Sequence, residues 1–260
     1  MIEGEHLELL SQKIQQGSHK ALAELTQLAS TSNKYQAVAA LRLGLLHDAT
    51  GPMGCLDDLQ AALHYYRLAA DLGNAYAQFS LGNMYEFGEG VPQDWATARG
   101  WYELAAKQGE INAQMNLARI LQTGRGGLQD IEQAAIWYFE AAKQGDAQAA
   151  TNLALMHMKE ELSESSIDLA IKLLEFSSTK LDGLACMVLG ENYLQGIGVE
   201  QSNEHACFHF CLAEKLLPAG GNLERVSFYL GKLMASDSNL TEAFRKKASE
   251  YIQYVRGNPQ

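Results

Sequence analysis

A block of 36 residues recurs along this chain of 260 residues, and this period limits the possible folds more than any other feature. The clearest copy places small, apolar and aromatic residues at fixed positions: Ala77, Leu81, Gly82, Tyr85, Gly88, Gly90, Asp94, Ala98, Trp101, Tyr102, Ala105, Ala106 and Gly109. Most of these residue types return one period later, and weaker sets return further along the chain. The sequence therefore predicts five repeats, at residues 37–74, 75–110, 111–146, 147–182 and 183–217.

Each repeat is predicted to contain two helices, here called helix A and helix B. Helix A begins after an N-cap candidate, which is Asn74, Asp146 or Asp182 in three of the copies. A glycine-rich loop follows, and Asp94 is the N-cap candidate for helix B of the clearest copy. Helix B is followed by a glycine, which closes a helix at low conformational cost: Gly73, Gly109 or Gly145. The pattern predicts an all-α chain of helical hairpins.

A small residue recurs in the middle of helix A, where glycine costs roughly 1 kcal/mol relative to alanine. The residues at this position are Gly44, Gly82, Ala118, Ala154 and Gly190. We interpret them as points of close contact between helices, because a larger side chain would push the pair apart. The recurring aromatic pairs of helix B are predicted to belong to the core: Tyr65–Tyr66, Trp101–Tyr102 and Trp137–Tyr138.

The two ends depart from the period, as terminal capping units of a repeat array do. We expect capping helices within residues 1–36 and a capping hairpin at residues 222–257, so that residues 1–257 form a single array. The loop that includes Gly51, Pro52, Met53 and Gly54 carries a predicted insertion of two residues relative to the other copies.

This pattern resembles the Sel1-like repeat, a relative of the tetratricopeptide repeat, over roughly residues 37–217. The resemblance implies a right-handed α/α superhelix, or solenoid, that serves protein–protein interaction and complex assembly. It implies no catalytic residue, because the family shares none. A secreted, cysteine-rich branch of the family has a disulfide in each repeat. The matching pairs here are Ala106/Gln114, Ala142/Ala150 and Ser178/Cys186, so this chain does not fit that branch.

Charge and composition restrict the compartment and the partner. The formal net charge of −11 argues against nucleic acid and anionic membrane surfaces as partners, and favours a basic protein. No apolar run approaches the roughly 18–20 residues of a membrane-spanning helix, so no membrane insertion is expected. The N-terminal residues are acidic, unlike those of a signal peptide. Four unevenly placed cysteines, Cys55, Cys186, Cys207 and Cys211, agree with a reducing, cytoplasmic setting.

One side of helix A is predicted to bind the partner, since its residues differ between copies while the opposite stripe is apolar in each. In stacked repeats of this kind, helix A usually lines the concave surface. Ser80, Thr123, Thr151, Leu155 and Lys159 fall on the same side. The residues assigned to this helix-A face are Tyr76, Phe79, Asn83, Phe87, Asn112, Met115, Asn116, Arg119, Gln148 and Asn152. Asn116 and Asn152 are equivalent, and replacing Asn116 by Ala with Arg119 by Glu is expected to weaken binding without loss of helix. The alternative is a merely solvated face, with Phe79 and Met115 packed between repeats.

Two groups of residues suggest chemistry, and both have simpler interpretations. His205, Cys207, His209 and Cys211 alternate like metal ligands, but on a helix the two histidines point about 200° away from the two cysteines. Ser177 and Lys180 match the spacing of a β-lactam-recognising hydrolase, yet no Lys-Thr-Gly accompanies them. We therefore expect no metal, no cofactor and no enzymatic activity.

The main hypothesis is a non-enzymatic interaction module or adaptor. An immunity or antitoxin-type inhibitor of a toxic effector protein is the alternative, and a hydrolase that uses Ser177 and Lys180 is a remote one. A structural homo-oligomer also stays open.

Overall fold

The computed structural model describes residues 2–32, 35–48, 54–236 and 238–257. These ranges contain fourteen α-helices and no strand, which confirms the predicted all-α class. Gly51, Pro52 and Met53 of the predicted insertion, and Pro259, lie outside the described residues. The helices are α1 (Ile2–Gln15), α2 (His19–Ser30), α3 (Gln36–His47), α4 (Leu59–Asp71), α5 (Ala75–Phe87), α6 (Trp95–Lys107), α7 (Ile111–Thr123), α8 (Ile131–Lys143), α9 (Ala147–Met158), α10 (Ile167–Thr179), α11 (Gly183–Gln195), α12 (Asn203–Leu216), α13 (Gly221–Ser236) and α14 (Ser238–Gly257).

The helices group into two compact units, Met1–Asp130 and Ile131–Gln260. In the first unit, each of the helices α2 to α6 packs against the helix before it and the helix after it, and α5 also contacts α7. In the second unit the same sequential packing runs from α8 to α14, with α12 also against α14 and α11 against α13. Helix A of the five repeats is α3, α5, α7, α9 and α11, and helix B is α4, α6, α8, α10 and α12.

The predicted helix boundaries are confirmed by their capping bonds. The side chains of Asn74, Asp146 and Asp182 accept hydrogen bonds from backbone N–H groups three residues further on, at 2.9, 2.7 and 2.7 Å. For helix B, Asp94 Oδ1 likewise accepts from Thr97 N, three residues further on, at 3.2 Å. Gly73, Gly109 and Gly145 have the left-handed φ angles of 86°, 89° and 96° that favour glycine. Leu181 takes that place in the fourth repeat at φ 62°, which the sequence pattern does not reveal.

The mid-helix glycines are confirmed as points of close approach, and the opposing group is an aromatic ring of helix B. A Cβ atom on Gly44 would lie 2.6 Å from the Tyr66 ring, and one on Gly190 would lie 2.7 Å from Phe210. A Cβ atom on Gly82 would overlap the ring of Tyr102. The absence of a side chain therefore makes room for a ring. This close packing explains why glycine occurs at a position where it lowers helix propensity.

The aromatic pairs of helix B divide between two environments. The second member of each pair, Tyr66, Tyr102 and Tyr138, is buried. The first member, Tyr65, Trp101 and Trp137, is half-buried. These pairs thus contribute to the core as predicted, but only one ring of each pair is fully enclosed.

The terminal helices contribute apolar side chains to the cores of their units. Leu7, Leu10 and Ile14 of α1 and Leu25 of α2 are buried in the core of the first unit. Val226 and Leu230 of α13 and Ala248 and Ile252 of α14 are buried in that of the second. Among the helices described, none combines the length and apolar character needed to cross a membrane.

Candidate interaction face

The residues predicted for the helix-A face differ in their exposure. Tyr76, Phe87, Asn112 and Gln148 are exposed, whereas Phe79, Asn83, Met115, Asn116, Arg119 and Asn152 are half-buried. Ser80 and Thr151 were expected on the same side, and this expectation is wrong because both are buried. For Ser80, the reason is that α5 contacts α4, α6 and α7, so the buried arc of that helix is wider than its apolar stripe suggests.

A buried carboxylate organises the part of this face that lies in the first unit. Glu86 is only 2 % exposed. The hydroxyl of Tyr102 lies 2.9 Å from Glu86 Oε2 and 2.6 Å from Asn83 Oδ1. Burial, and secondly the charge of Glu86, raise the pKa of Tyr102, so the phenol stays protonated and donates. The hydroxyl of Tyr102 on helix B is therefore within hydrogen-bond distance of two polar side chains of α5, and its single proton is donated to one of them at a time.

Residues of α7 complete this network. Arg119 Nη2 lies 2.5 Å from Glu86 Oε1, and Asn116 Nδ2 donates to Asn83 Oδ1 at 3.3 Å. The structure thus brings together Asn83, Asn116 and Arg119, which the sequence placed on one face without predicting any contact between them. They are linked through Tyr102, which lies next to both Asn83 and Glu86, and sequence reasoning missed the role of Glu86. A signal in the sequence is the acidic residue four positions after the mid-helix glycine, which is Glu86 in the second repeat and Asp48 in the first. In the first repeat Tyr66 Oη likewise donates to Asp48 Oδ2 at 3.0 Å.

The contact between Arg119 and Glu86 corrects the expected behaviour of the Asn116→Ala, Arg119→Glu variant. A glutamate at position 119 would face a buried carboxylate instead of neutralising it. An uncompensated charge in a buried site is strongly destabilising. This variant is therefore not a selective test of binding.

Aromatic side chains lie along α5 beside the polar network. The rings of Tyr76 and Phe79 meet edge to face at 5.9 Å, and Phe79 lies 6.1 Å from the Tyr102 ring. Phe87, at the end of α5, is 63 % exposed. Both of these ring contacts of Phe79 lie within its own repeat, and Tyr76 and Phe87 remain exposed.

The second unit has its own ion pair between neighbouring helices. Glu191 Oε2 of α11 lies 2.8 Å from Arg225 Nη2 of α13. Burial raises the pKa of Glu191, and the charge of Arg225 opposes that shift. Phe228 of α13 is 58 % exposed, and Lys232 Nζ lies 4.4 Å from its ring centroid. The sequence predicted neither of these two side-chain pairs. The residues that it assigned to the helix-A face in this unit are Gln148 and Asn152 of α9.

Comparison with known proteins identifies the repeat. The sequence profile of the Sel1 repeat matches residues 37–74, 75–110, 111–146, 147–180 and 183–216. The chain belongs to the Sel1 repeat family. No curated protein shows significant sequence similarity to this Sel1 repeat protein.

The solved structures that share its fold include two Sel1-type proteins. A Sel1 repeat protein from Oxalobacter formigenes has a TM-score of 0.77 at 24 % identity, over 94 % of this chain and 98 % of that one. The protein c5321, a protective antigen present in uropathogenic Escherichia coli strains, has a TM-score of 0.65 at 24 % identity. That match covers 98 % of this chain and 60 % of c5321. The fold class predicted from the repeats is confirmed, and Sel1 repeats form a scaffold for protein interaction.

Ser177 of this Sel1 repeat protein does not have the setting of a nucleophile. Its side chain is fully buried, and its Oγ lies 2.8 Å from the Ala147 carbonyl oxygen and 2.9 Å from that of Leu173. The hydroxyl therefore tethers α10 to the start of α9. Lys180 is exposed at the end of α10.

The alternating histidines and cysteines of α12 lie on different sides of the helix, as predicted. The rings of His205 and His209 stack on Tyr193 at 4.9 and 5.6 Å. Cys207 and Cys211 are buried, and Cys211 Sγ lies 4.0 Å from the Thr241 carbonyl oxygen. Within the described residues, no group of three or more His, Cys, Asp or Glu side chains could hold a metal ion.

Proposed function

We propose that this Sel1 repeat protein is a non-enzymatic interaction module that binds a segment of a protein partner on its helix-A face. The observation that carries the proposal is the network around Glu86, which holds Asn83, Asn116 and Arg119 on two neighbouring helices. A solvated face has no need for a buried carboxylate beneath it, since burying an ionised group is costly unless it is hydrogen-bonded.

The network supports binding because its side chains are already ordered. Immobilising a flexible side chain on binding costs about 0.5–1.5 kcal/mol, and a residue that is held in place beforehand avoids most of that cost. Asparagine offers both donors and an acceptor, as an extended backbone requires, and arginine is a frequent binding hot spot. Tyr76 and Phe87 add exposed aromatic surface next to these groups.

The charge of the protein favours a basic partner. With a net charge of −11, long-range attraction steers a cationic protein towards the surface and raises its association rate. Because salt screens this attraction, the association rate should fall as ionic strength rises. A rate that is unaffected by salt would argue against a basic partner without affecting the location of the face.

The test is affinity capture from the native cell with quantitative mass spectrometry, using the full chain as bait. The face variant is Phe87→Ala with Asn112→Ala, since both residues are exposed and neither belongs to the Glu86 network. The control is Leu104→Ala, an apolar truncation on helix B, where Leu104 is 46 % exposed.

We expect the wild type and the control to capture the same protein, and the face variant to capture about tenfold less, a loss of roughly 1.4 kcal/mol. Equal recovery with all three baits would place the binding surface elsewhere.

A further inference from the structure

A cavity of about 300 Å³ lies within the second unit, between α8, α9 and the loop that leads to α10. Its lining includes Glu132, Ile136, Phe139, His157, Leu162 and Leu169. None of these residues belongs to the helix-A face. We call this cavity the Leu162 pocket.

The pocket occurs where the repeat loses a glycine. In three other repeats, the second glycine of the loop packs on the first residue of the preceding helix B. A Cβ atom on Gly198 would lie 2.7 Å from Ile167 Cγ1, and one on Gly90 would lie 3.4 Å from Leu59 Cβ. A Cβ atom on Gly126 would overlap the Trp95 carbonyl group. Leu162 occupies the equivalent position of the fourth repeat, opposite the start of α8. Its side chain prevents the loop from approaching as closely.

The altered loop is held in a defined position rather than left loose. Ser163 N donates to Glu132 Oε1 of α8 at 2.8 Å, and Ser166 N donates to His157 Nδ1 at 3.3 Å. Glu160 takes the left-handed φ of 54° where other loops have glycine. The pocket is therefore a built feature of the loop.

The floor and one wall of the pocket are apolar. Ile136, Phe139 and Leu169 expose 49 %, 47 % and 39 % of their surface, although each is a large hydrophobic residue. Contiguous exposed apolar surface of this kind marks sites that bind a partner. A cavity of about 150 Å³ is known to hold benzene, so 300 Å³ has room for the side chain of leucine or phenylalanine.

The charged groups at the pocket are acidic. Glu132 and Glu164 belong to the lining, and the lining residues that the structure describes include no lysine or arginine. Burial lowers the pKa of His157, so its imidazole is neutral at pH 7. Lys143 lies over the Phe139 ring, but its ammonium group is paired with Glu140 at 2.9 Å. The charge complement of this site is a cation.

We propose that the Leu162 pocket is a second docking site, which receives one large apolar side chain from a protein segment with lysine or arginine beside it. The apolar side chain fills the cavity next to Phe139 and Ile136. The basic neighbours lie against Glu132 and Glu164. This site is independent of the helix-A face, because the two surfaces share no residue.

The test uses three synthetic peptides and methyl NMR spectra of the full chain. The peptides are N-acetylated, C-amidated Lys-Phe-Lys, Glu-Phe-Glu and Lys-Ala-Lys, each titrated to a few millimolar. We expect Lys-Phe-Lys to shift the methyl signals of Ile136, Leu153, Leu162 and Leu169, with at least tenfold weaker effects from the other two peptides. Shifts that appear at other methyl groups only, or no shifts at all, would overturn the proposal.

Two variants test the pocket itself. Leu162→Gly introduces the glycine that three other repeats have at this position, and Glu132→Gln with Glu164→Gln removes the charge. Each should weaken Lys-Phe-Lys binding about tenfold or more, whereas Glu175→Gln with Glu204→Gln, at exposed sites on α10 and α12, should not. Equal affinity in all variants would contradict the proposal. Phe87→Ala with Asn112→Ala should leave binding of Lys-Phe-Lys unchanged. A negative result for the Leu162 pocket can therefore be distinguished from a negative result for partner binding on the helix-A face.

Discussion

The hydroxyl of Tyr102 lies 2.9 Å from Oε2 of Glu86, and together they form the link between the core of a repeat and its helix-A face. The same relationship joins Tyr66 to Asp48 in the first repeat. In the fifth repeat the equivalent residues are Phe210 and Leu194, so that hydroxyl and carboxylate are both absent there. The ring and the residue at the end of helix A therefore change together between these copies.

Tyr102→Phe is expected to destabilise the protein by about 1.5–3 kcal/mol, the usual worth of a hydrogen bond to a charged group. The variant leaves Glu86 Oε2 without its phenol donor in a buried site. The measurement is urea unfolding followed by circular dichroism. The double variant Tyr102→Phe with Glu86→Leu reproduces the pair of the fifth repeat. It should lose less stability than the two single variants added together, and strict additivity would show that the pair is not coupled.

Gly82→Ala is expected to destabilise the protein by about 1–3 kcal/mol, although alanine is the better helix former. The added Cβ atom would overlap the ring of Tyr102. The matched control is Gly100→Ala on α6, where a Cβ atom meets nothing within 4 Å. Gly100→Ala should stabilise the protein by about 0.5–1 kcal/mol. Thermal unfolding of the two variants compares their stabilities directly. A stabilised Gly82→Ala would contradict the role of glycine in making room for the ring.

His209 is expected to make stability depend on pH. Burial lowers the pKa of His209 to about 4 from the ordinary 6.5, and the nearby His205 adds to this effect. The unfolded chain binds the proton below pH 6.5, whereas the folded protein resists it until pH approaches 4. The stabilisation is thus complete above pH 6.5 and is lost progressively as pH falls towards 4, by about 3 kcal/mol in total.

The measurement for His209 is the free energy of unfolding between pH 7 and pH 4, for the wild type and for His209→Phe. Phenylalanine retains a ring to stack on Tyr193 but cannot be protonated. As pH falls, the free energy of unfolding should decrease less for the variant than for the wild type. Comparing the two proteins cancels the contribution of the carboxylates that both share. Parallel curves would show that His209 does not protonate on unfolding.

Glu160→Gly is expected to stabilise the protein by about 0.5–1 kcal/mol. A non-glycine residue with a left-handed φ of 54° costs roughly 1–2 kcal/mol, and the greater chain entropy of glycine cancels part of the gain. The control is Lys159→Gly, where φ is −87° and glycine brings no relief. That variant should be destabilised, and calorimetric unfolding distinguishes the two. Destabilisation of both would show that Glu160 is not strained.

The repeat could be predicted from the sequence because the residues that define it act locally, within one helix or one turn. Caps such as Asn74 and Asp146 satisfy backbone groups within three residues, and Gly73 and Gly109 close helices through their own backbone angles. The small residue at Gly82 also predicted a close contact, although not which ring fills the space. Local chemistry that repeats at a fixed spacing therefore determined the helices, their order and the family.

Only the tertiary structure decided how the side chains of the face are used. Glu86 is buried because α6 and α7 bring Tyr102 and Arg119 to it from 16 and 33 residues away, a pairing that no helical wheel of α5 contains. The Leu162 pocket arises in the same way, from one glycine lost opposite a helix of the preceding repeat. Sequence periodicity predicts which elements form, while contacts between elements depend on the shapes of residues far apart in the chain.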